Sequence, residues 1–223
     1  MNFENKLAIG SGIYTIAEIT KILRLPYHKV NTWVNTYWDG KLGQAFQSRY
    51  SWTVNKSKAV SFHTLVEFYI LFLLAQAGVK TNQVLKAHLE LSKIYNTPFP
   101  FAQKNILKGI RTDGKKIFFN TNGGTISLDG KFQFQIEFVK LFFKNLEFDD
   151  ELLANRFYPL GKKRNIVVDP TRQFGHPVIG NTNIYPETIF NLYKAGEPTK
   201  FIAHLYEINE KEVQDAIEYC KAA

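Results

Sequence analysis

Apolar residues near the start of the chain recur at the spacing of α-helices. A first helix is predicted to open at a capping box of Thr15 and Glu18 and to end at the Leu25-Pro26 pair. Its buried face carries Ile16, Ile19 and Leu23. A second helix is predicted from about Tyr27 to Tyr37. Its buried stripe consists of Val30, Trp33, Val34 and Tyr37.

The second helix carries hydrogen-bonding side chains opposite that stripe: His28, Asn31, Thr32 and Asn35. Two short helices with a tight turn, the second apolar behind and polar in front, are typical of a helix-turn-helix that reads the major groove. Asn31 can pair with adenine edges, whereas His28, Lys29 and Thr32 can reach bases or phosphates. A helical hairpin that only packs shows the same pattern, and this alternative stays open.

A basic and aromatic stretch follows the second helix. Asp39-Gly40 and Leu42-Gly43 are turn signals, and no acidic residue follows Asp39 up to Val60. This pattern predicts a wing that lies along the phosphate backbone. Its candidate DNA-contacting residues are Arg49, Tyr50, Trp52, Lys56 and Lys58.

The next predicted helix starts after Ser61, ends at Gly78 and is apolar almost all round. Such a helix needs cover on most faces, which predicts a homodimer with Phe68 and Phe72 among the contacts. Thr81 is predicted to cap the following helix. Because no second ligand stands at a suitable spacing from His63 or His88, we interpret both as packed histidines and predict no metal site.

The pattern changes after Thr97-Pro98-Phe99-Pro100, which breaks the helical spacing. From Lys116 the apolar residues alternate, with turns at Asn122-Gly123-Gly124 and Asp129-Gly130, and this predicts a small antiparallel sheet through Ile136. A short helix from Phe138 to Leu146 is expected next, and the cluster Asp149-Asp150-Glu151 is interpreted as a solvated loop. The Gly-rich turn lacks the Gly-Lys-Ser/Thr of a phosphate loop.

Three helices are predicted near the C-terminus, after a strand-like Ile166-Val167-Val168. Pro186 opens the first, Pro198 opens the second, and Asn209 caps the third with Glu212 completing a capping box. The third helix has the buried stripe Val213, Ala216, Ile217 and Cys220.

The outward face of this last helix is acidic. Phosphates would repel it in a major groove, so Glu212, Asp215 and Glu218 are predicted to bind a protein partner. A solvated face without a partner is the alternative. No nucleophile and base can be assembled with any specificity, because Cys220 lies on the buried stripe, and we expect neither an enzyme nor a cofactor.

Charge separates the parts of the chain. The 223 residues carry a net charge of +8, and residues 1–95 hold 11 Lys and Arg against 5 acidic residues. A localised positive field is the electrostatic mark of nucleic-acid binding. The 45% hydrophobic content excludes general disorder. No apolar run reaches the roughly 20 residues of a membrane span, and the lone Cys220 fits a reducing cytoplasm.

Two family resemblances follow from these residues. The segments Tyr14–Ile19 and Leu25–Trp33 resemble the first helices of the MerR-type winged helix-turn-helix, a family in which the second helix and wing contact DNA and a later helix forms a dimer. Asn31 and Thr32 stand where paired arginines are frequent in that family.

The C-terminal stretch resembles the trihelical family known as domain of unknown function four hundred and thirty-three. The resemblance rests on Ile166–Pro170, Gly175–Ile179, Thr182–Ile184, Ala195–Glu197 and Val213–Tyr219. Members are often VapB-like antitoxins encoded beside a PIN-like ribonuclease toxin, and longer members carry a MerR-like domain in front. The family's Gly-Thr-Arg-Ile element reads Asn181-Thr182-Asn183-Ile184 here.

The sequence thus predicts a mainly α protein with small β elements (α+β). Its expected domains are a winged helix-turn-helix at 1–96, a small sheet at 97–164 and a trihelical domain at 165–223. The leading hypothesis is a cytoplasmic, dimeric, DNA-binding antitoxin that represses its own operon from a palindromic operator and neutralises a PIN-like toxin. A stand-alone MerR-like regulator is the alternative, and a protein scaffold that binds no DNA is a third possibility.

Overall fold

The computed structural model describes residues 10–112, 117–121, 124–127 and 142–222. Its α-helices and small antiparallel sheets confirm the predicted α+β class. None of the helices in this described part of the chain is long and apolar enough to cross a membrane.

The first two helices follow a short strand, β1 (Tyr14–Thr15). Helix α1 (Ile16–Leu23) opens at the predicted capping box, in which Thr15 Oγ1 accepts from the Glu18 amide and Glu18 accepts from the Thr15 amide. It ends where Arg24 adopts a left-handed conformation. Helix α2 (Tyr27–Thr32) then turns its Val30 inward.

The second helix does not end at Tyr37. It continues through a π-helical segment, Trp33–Leu42, into α3 (Gly43–Phe46). The predicted turns at Asp39-Gly40 and Leu42-Gly43 are therefore wrong. Packing prevails over the local signals, because Trp38 and Leu42 are fully buried. At Gly43, an added Cβ would meet the Ser48 carbonyl oxygen at 2.5 Å, so glycine here permits a close backbone approach.

A hairpin of β2 (Ser51–Val54) and β3 (Ser57–Val60) forms the segment predicted as a wing. Strand β1 extends it into an antiparallel sheet of order β1-β3-β2, with Tyr14 opposite Val60. Asn55 and Lys56 make the turn, both at positive φ.

Helices α4 (Phe62–Gln76) and α5 (Thr81–Tyr95) build most of the main core. The apolar surface of α4 is covered within the chain: Phe68 packs on Trp33 and Trp38, and Tyr69 packs on Phe157. The chain itself therefore supplies cover that the sequence argument assigned to a second copy, and the homodimer stays a prediction.

The middle of the chain adds short elements to this core: a 3₁₀ turn (Pro100–Ala102), α6 (Lys104–Gly109), β4 (Ile110–Thr112), β5 (Ile117–Thr121) and β6 (Gly124–Ser127). The three strands pair in the order β4-β5-β6, which confirms the antiparallel sheet. The strand expected through Phe132 to Ile136 and the start of the helix at Phe138 lie outside the described residues.

A hairpin replaces the end of that predicted helix. Strands β7 (Leu146–Phe148) and β8 (Ala154–Phe157) pair with a bulge at Glu147 and Phe148. The acidic cluster Asp149-Asp150-Glu151 lies in the connecting loop, where Asp149 accepts from the Leu153 amide.

Strands β9 (Ile166–Val167) and β10 (Val178–Ile179) pair before the C-terminal helices. These are α7 (Pro186–Lys194), α8 (Thr199–Leu205) and α9 (Glu210–Lys221), as predicted, with the capping box of Asn209 and Glu212 in place. They enclose a second, smaller core with Ile189, Ile202, Val213 and Ile217 among its members.

A 3₁₀ turn, Gln173–Gly175, joins the two cores. The Ile13 amide donates to the Phe174 carbonyl oxygen at 2.9 Å, and His176 Nε2 lies 3.4 Å from Glu18 Oε1. Gly175 packs so closely on Tyr14 that an added Cβ would overlap the phenol ring.

Candidate nucleic-acid interface

A groove of about 290 Å³ separates α2 from the β2–β3 hairpin. It is lined by Thr15, Ile16, Ala17, Tyr27, Asn31, Asn35, Lys56, Ser57 and Lys58. The structure thus brings together four residues predicted to contact DNA: Asn31, Asn35, Lys56 and Lys58. Amide groups on one wall and ammonium groups on the other suit base edges and phosphates respectively.

The two asparagines of the groove are linked. Asn35 Nδ2 lies 2.9 Å from both the backbone oxygen and the Oδ1 of Asn31, and it donates to them. These two bonds use the two protons of Asn35 Nδ2 and the oxygens of Asn31. The two protons of Asn31 Nδ2 take part in neither bond and can be donated to a ligand. Asn35 therefore orients Asn31 on the half-buried helix face.

The other residues of α2 that are predicted to contact DNA differ in exposure and in their contacts within the chain. His28 and Thr32 are exposed, and the Thr32 hydroxyl donates to the His28 carbonyl oxygen at 2.9 Å. The Lys29 ammonium lies 5.4 Å from the ring centroid of Trp33 and 5.9 Å from that of Phe72, within cation–π range. Its stem covers apolar surface while the charge stays near the helix.

The hairpin lysines differ as well. Lys56 is exposed at the tip of the turn. Arg49, which precedes the hairpin, is exposed too. Lys58 Nζ instead lies 2.7 Å from Asp39 Oδ2. Asp39 also accepts from the amides of Tyr50 and Ser51 at 3.0 Å, so this carboxylate fastens the hairpin to the π-helical segment.

Two aromatic residues predicted to contact DNA lie deeper than expected. Trp52 is half-buried, and its indole nitrogen is buried without a hydrogen-bond partner among the described residues. Tyr50 is fully buried, and its hydroxyl donates to the Pro98 carbonyl oxygen at 2.9 Å. Burial, and then the charge of Glu67, raise the pKa of Tyr50 well above its usual value. The structure contradicts a direct DNA contact for Tyr50, which belongs to the core.

An ionisable pair is buried in the main core. Glu67 Oε2 lies 2.6 Å from His88 Nε2 with both side chains fully buried, and Glu67 Oε1 accepts from the Phe101 amide at 2.8 Å. Burial raises the pKa of Glu67, while the attraction of His88 opposes that shift. His88 is thus a packed histidine as interpreted. Among the residues described, no three His, Cys, Asp or Glu side chains are grouped to hold a metal.

Of the two predicted dimer contacts, Phe68 is fully buried in the chain's own core, which contradicts its assignment. Phe72 is only partly buried and stays a prediction.

The acidic face of α9 is also different from its prediction. Asp215 is fully buried, where it accepts from Arg164 Nη1 at 2.8 Å and from the Asn165 amide at 3.0 Å. It cannot contact a partner, so its assignment is wrong. Glu218 lies 2.9 Å from Arg164 Nη2, and Glu212 accepts from the Asn165 side chain at 2.8 Å. Both are already paired within the chain.

Sequence reasoning missed two residues of this interface. Tyr27 lines the groove at the first position of α2 with 56% of its surface exposed. It precedes the apolar stripe, and its position at the helix start was the available signal. The Asp39-Gly40 pattern predicts a turn, and nothing local indicates that the partners of Asp39 come from the hairpin.

Comparisons with known proteins bear on both ends of the chain. Residues 166–220 match the family described as "Protein of unknown function (DUF433)", which confirms the predicted resemblance of the C-terminal region. The chain is 22% identical to "Putative antitoxin VapB45" of Mycobacterium tuberculosis over 96% of both proteins. It is 32% identical to "Uncharacterized protein Rv2308" of the same organism over 71 residues, which are 32% of this chain and 28% of that protein.

The fold has a counterpart in a crystal structure. Rv2018 from Mycobacterium tuberculosis superposes with a TM-score of 0.68 at 20% sequence identity, covering 96% of this chain and 100% of that one. The likeness extends through both cores and supports the architecture described above.

Proposed function

We propose that this chain is a DNA-binding antitoxin. The groove between α2 and the hairpin would contact operator DNA in its own promoter, and the C-terminal helices would bind and neutralise a PIN-like ribonuclease toxin. The chain would then act by binding alone, without catalysis, and in the cytoplasm. The similarity to "Putative antitoxin VapB45" along almost the whole chain supports the toxin–antitoxin role.

The observation that carries the DNA-binding half is the groove itself. It places Asn31 opposite Lys56 in the part of the chain with 11 basic and 5 acidic residues. A basic wall beside hydrogen-bonding amides offers phosphate contacts for affinity and base contacts for specificity.

A homodimer would place two such grooves on a palindromic operator, one in each half-site. The part of α4 that the chain leaves partly exposed, around Phe72, is the surface proposed for this dimer. The Lys29 ammonium over the Phe72 ring would rigidify that surface.

The DNA-binding half is tested by the salt dependence of affinity for the chain's own promoter. Lys56→Ala should lower the slope of log affinity against log salt by about 1, because one phosphate contact is lost. Lys163→Ala, which removes an exposed lysine that does not line the groove, is the matched control. Equal slopes for both variants and the wild type would remove Lys56 from the interface.

Specificity is tested at the opposite wall. Asn31→Ala should narrow the affinity difference between the promoter and a base-substituted competitor, since a good base contact contributes about 1–3 kcal/mol of discrimination. Lys58→Ala should instead lower affinity and stability together, because Lys58 is paired with Asp39. Unchanged discrimination in the Asn31 variant would contradict base readout by this residue.

The toxin half is tested by growth. The protein encoded beside this chain should arrest a host when expressed alone, and co-expression should restore growth through a complex that co-purifies. A harmless neighbour with no complex would leave a stand-alone regulator as the function. Absent or salt-insensitive DNA binding would instead favour a protein scaffold.

A further inference from the structure

Helix α8 exposes an apolar face. Phe201 and Leu205 lie one turn apart with 49% and 53% of their surfaces accessible, while Ile202 and Ala203 of the same helix are buried. Side chains four residues apart lie on the same side of a helix, so the two large residues form one patch. Large apolar side chains grouped at a surface mark interaction sites more often than scattered ones do.

Basic residues border this patch. Lys200 and His204 are exposed on the same short helix, again one turn apart. The acidic residues nearest in sequence, Glu197 and Glu207, lie outside the helix at its two ends. Glu207 lines a cleft together with Glu212 and Arg156.

The acidic face of α9 does not compete for the same role. Its carboxylates at Asp215 and Glu218 are bonded to Arg164, and Glu212 is bonded to Asn165. A partner that used these acids would first have to break contacts within the chain. The α8 face has the apolar area that such a partner needs, without that cost.

The charge of the α8 face selects its occupant. A two-fold contact between two copies would bring the Lys200 ammonium of each copy to the same patch of the other, where like charges repel. A protein with an apolar pocket bordered by carboxylates is complementary instead.

We propose that the α8 face, consisting of Lys200, Phe201, His204 and Leu205, is the docking surface for the toxin. The inference rests on the proposed function and adds the residues and the chemistry of the contact. Phe201 and Leu205 fill an apolar pocket of the toxin, and Lys200 pairs with a carboxylate at its rim.

The test is the affinity of the full-length chain for the purified protein encoded beside it. The double variant Phe201→Ala and Leu205→Ala should bind at least about 30-fold more weakly, because central apolar anchors dominate such interfaces. Lys200→Glu should mainly slow association and reduce its salt dependence. Ile94→Ala, which truncates a residue of α5 that is 51% exposed, is the matched control and should bind as the wild type does.

Unfolding midpoint, promoter affinity and sedimentation are measured on the same variants. Unchanged values of all three with weakened toxin binding support the inference. If the double variant binds the neighbouring protein as tightly as the wild type does, the docking surface is overturned and the proposed function still stands. A wild-type chain that does not bind that protein overturns both. Loss of promoter affinity or of self-association, with toxin binding intact, assigns the face to DNA or to a second copy and overturns the inference.

Discussion

Helices α2 and α9 show the same sequence pattern and have different surroundings. Each follows a helix and a turn, carries an apolar stripe behind and displays polar residues in front. In α2 the front opens onto a groove lined by Asn31, Asn35 and Lys56. In α9 the front is closed, because Arg164 and Asn165, from the segment just before β9, bind its acids. A polar face predicts an interaction, and its partner can be the chain itself.

The two capping boxes repeat this contrast. Glu18 caps α1, and its second carboxylate oxygen faces His176. Glu212 caps α9, and its second carboxylate oxygen accepts from the side-chain amide of Asn165. The first contact links the two cores of the molecule, and the second fastens the C-terminal core to its own loop. One local motif therefore serves two different tertiary contacts.

The largest expected effect breaks the link between the cores. Gly175→Ala should destabilise the chain by about 3–5 kcal/mol, because φ is +91° and the new Cβ would overlap the Tyr14 ring, which is itself 1% exposed. Gly196→Ala is the matched control, since φ is +97° but no atom lies within 4 Å of an added Cβ. It should be destabilised by only about 1 kcal/mol.

Chemical denaturation of both variants measures this difference. If the two alanine variants are equally stable, the contact between the cores contributes nothing, and only the left-handed backbone matters. Two separate transitions in the Gly175 variant would show that the link makes the two cores unfold together.

The second prediction separates a buried acid from an exposed one on α9. Asp215 and Glu218 bind the same guanidinium, but their side chains are 0% and 39% exposed. Asp215→Ala should therefore lower the free energy of unfolding by about 2–4 kcal/mol, since it removes a buried carboxylate that accepts from both the Arg164 guanidinium and the Asn165 backbone amide. Glu218→Ala should lower it by about 0–1 kcal/mol. Similar losses in thermal melts of the two variants would contradict the burial of Asp215.

These residues show what a sequence pattern can and cannot give. The boxes at Thr15 and Asn209 involve residues three apart, so local spacing was enough to predict both helix starts. Asp215 and Arg164 are 51 residues apart, and only the packed chain brings them together. A helical projection placed Asp215 outward because it treats an acid as a solvated residue.

The candidate groove was predictable to a similar degree. The polar face of α2 and the basic hairpin follow from local patterns, and the structure places them across one groove. The π-helical segment was not predictable, because Trp38 and Leu42 are drawn into the core against the turn signals around Gly40. Burial of Tyr50 was not predictable either, because it directly follows the exposed Arg49 in a basic stretch.

A third, smaller effect concerns pH at Asp169, which follows β9 and accepts from Arg156 of β8. Burial raises the pKa of Asp169, but hydrogen bonds from Thr171 and Arg156 outweigh it and leave the pKa below its ordinary value. A lowered pKa means that the folded chain prefers the carboxylate. The contribution of the Asp169 carboxylate to the free energy of unfolding is therefore complete above the unfolded-state pKa, about 3.9. It is lost as the pH falls through the lower folded-state pKa.

Melting temperatures of the wild type and Asp169→Asn across this acid range measure the effect. The difference between them should be largest near neutral pH and should shrink on acidification. Glu90→Gln is a suitable control, because Glu90 lies 3.6 Å from Lys93 in an exposed pair on α5 and should show little difference at any pH. A difference that grows as the pH falls would give the shift the opposite sign.

The smallest effect completes the comparison by returning to the groove. Tyr50→Phe removes only the hydroxyl that donates to the Pro98 carbonyl oxygen, so stability should fall by about 1 kcal/mol. Promoter affinity should stay unchanged, since the ring is fully buried. Lys56→Ala should do the reverse, weakening DNA binding without changing the unfolding midpoint, because Lys56 is exposed at the hairpin tip. If Tyr50→Phe weakened DNA binding at unchanged stability, the hairpin would have to open on DNA and expose this side chain.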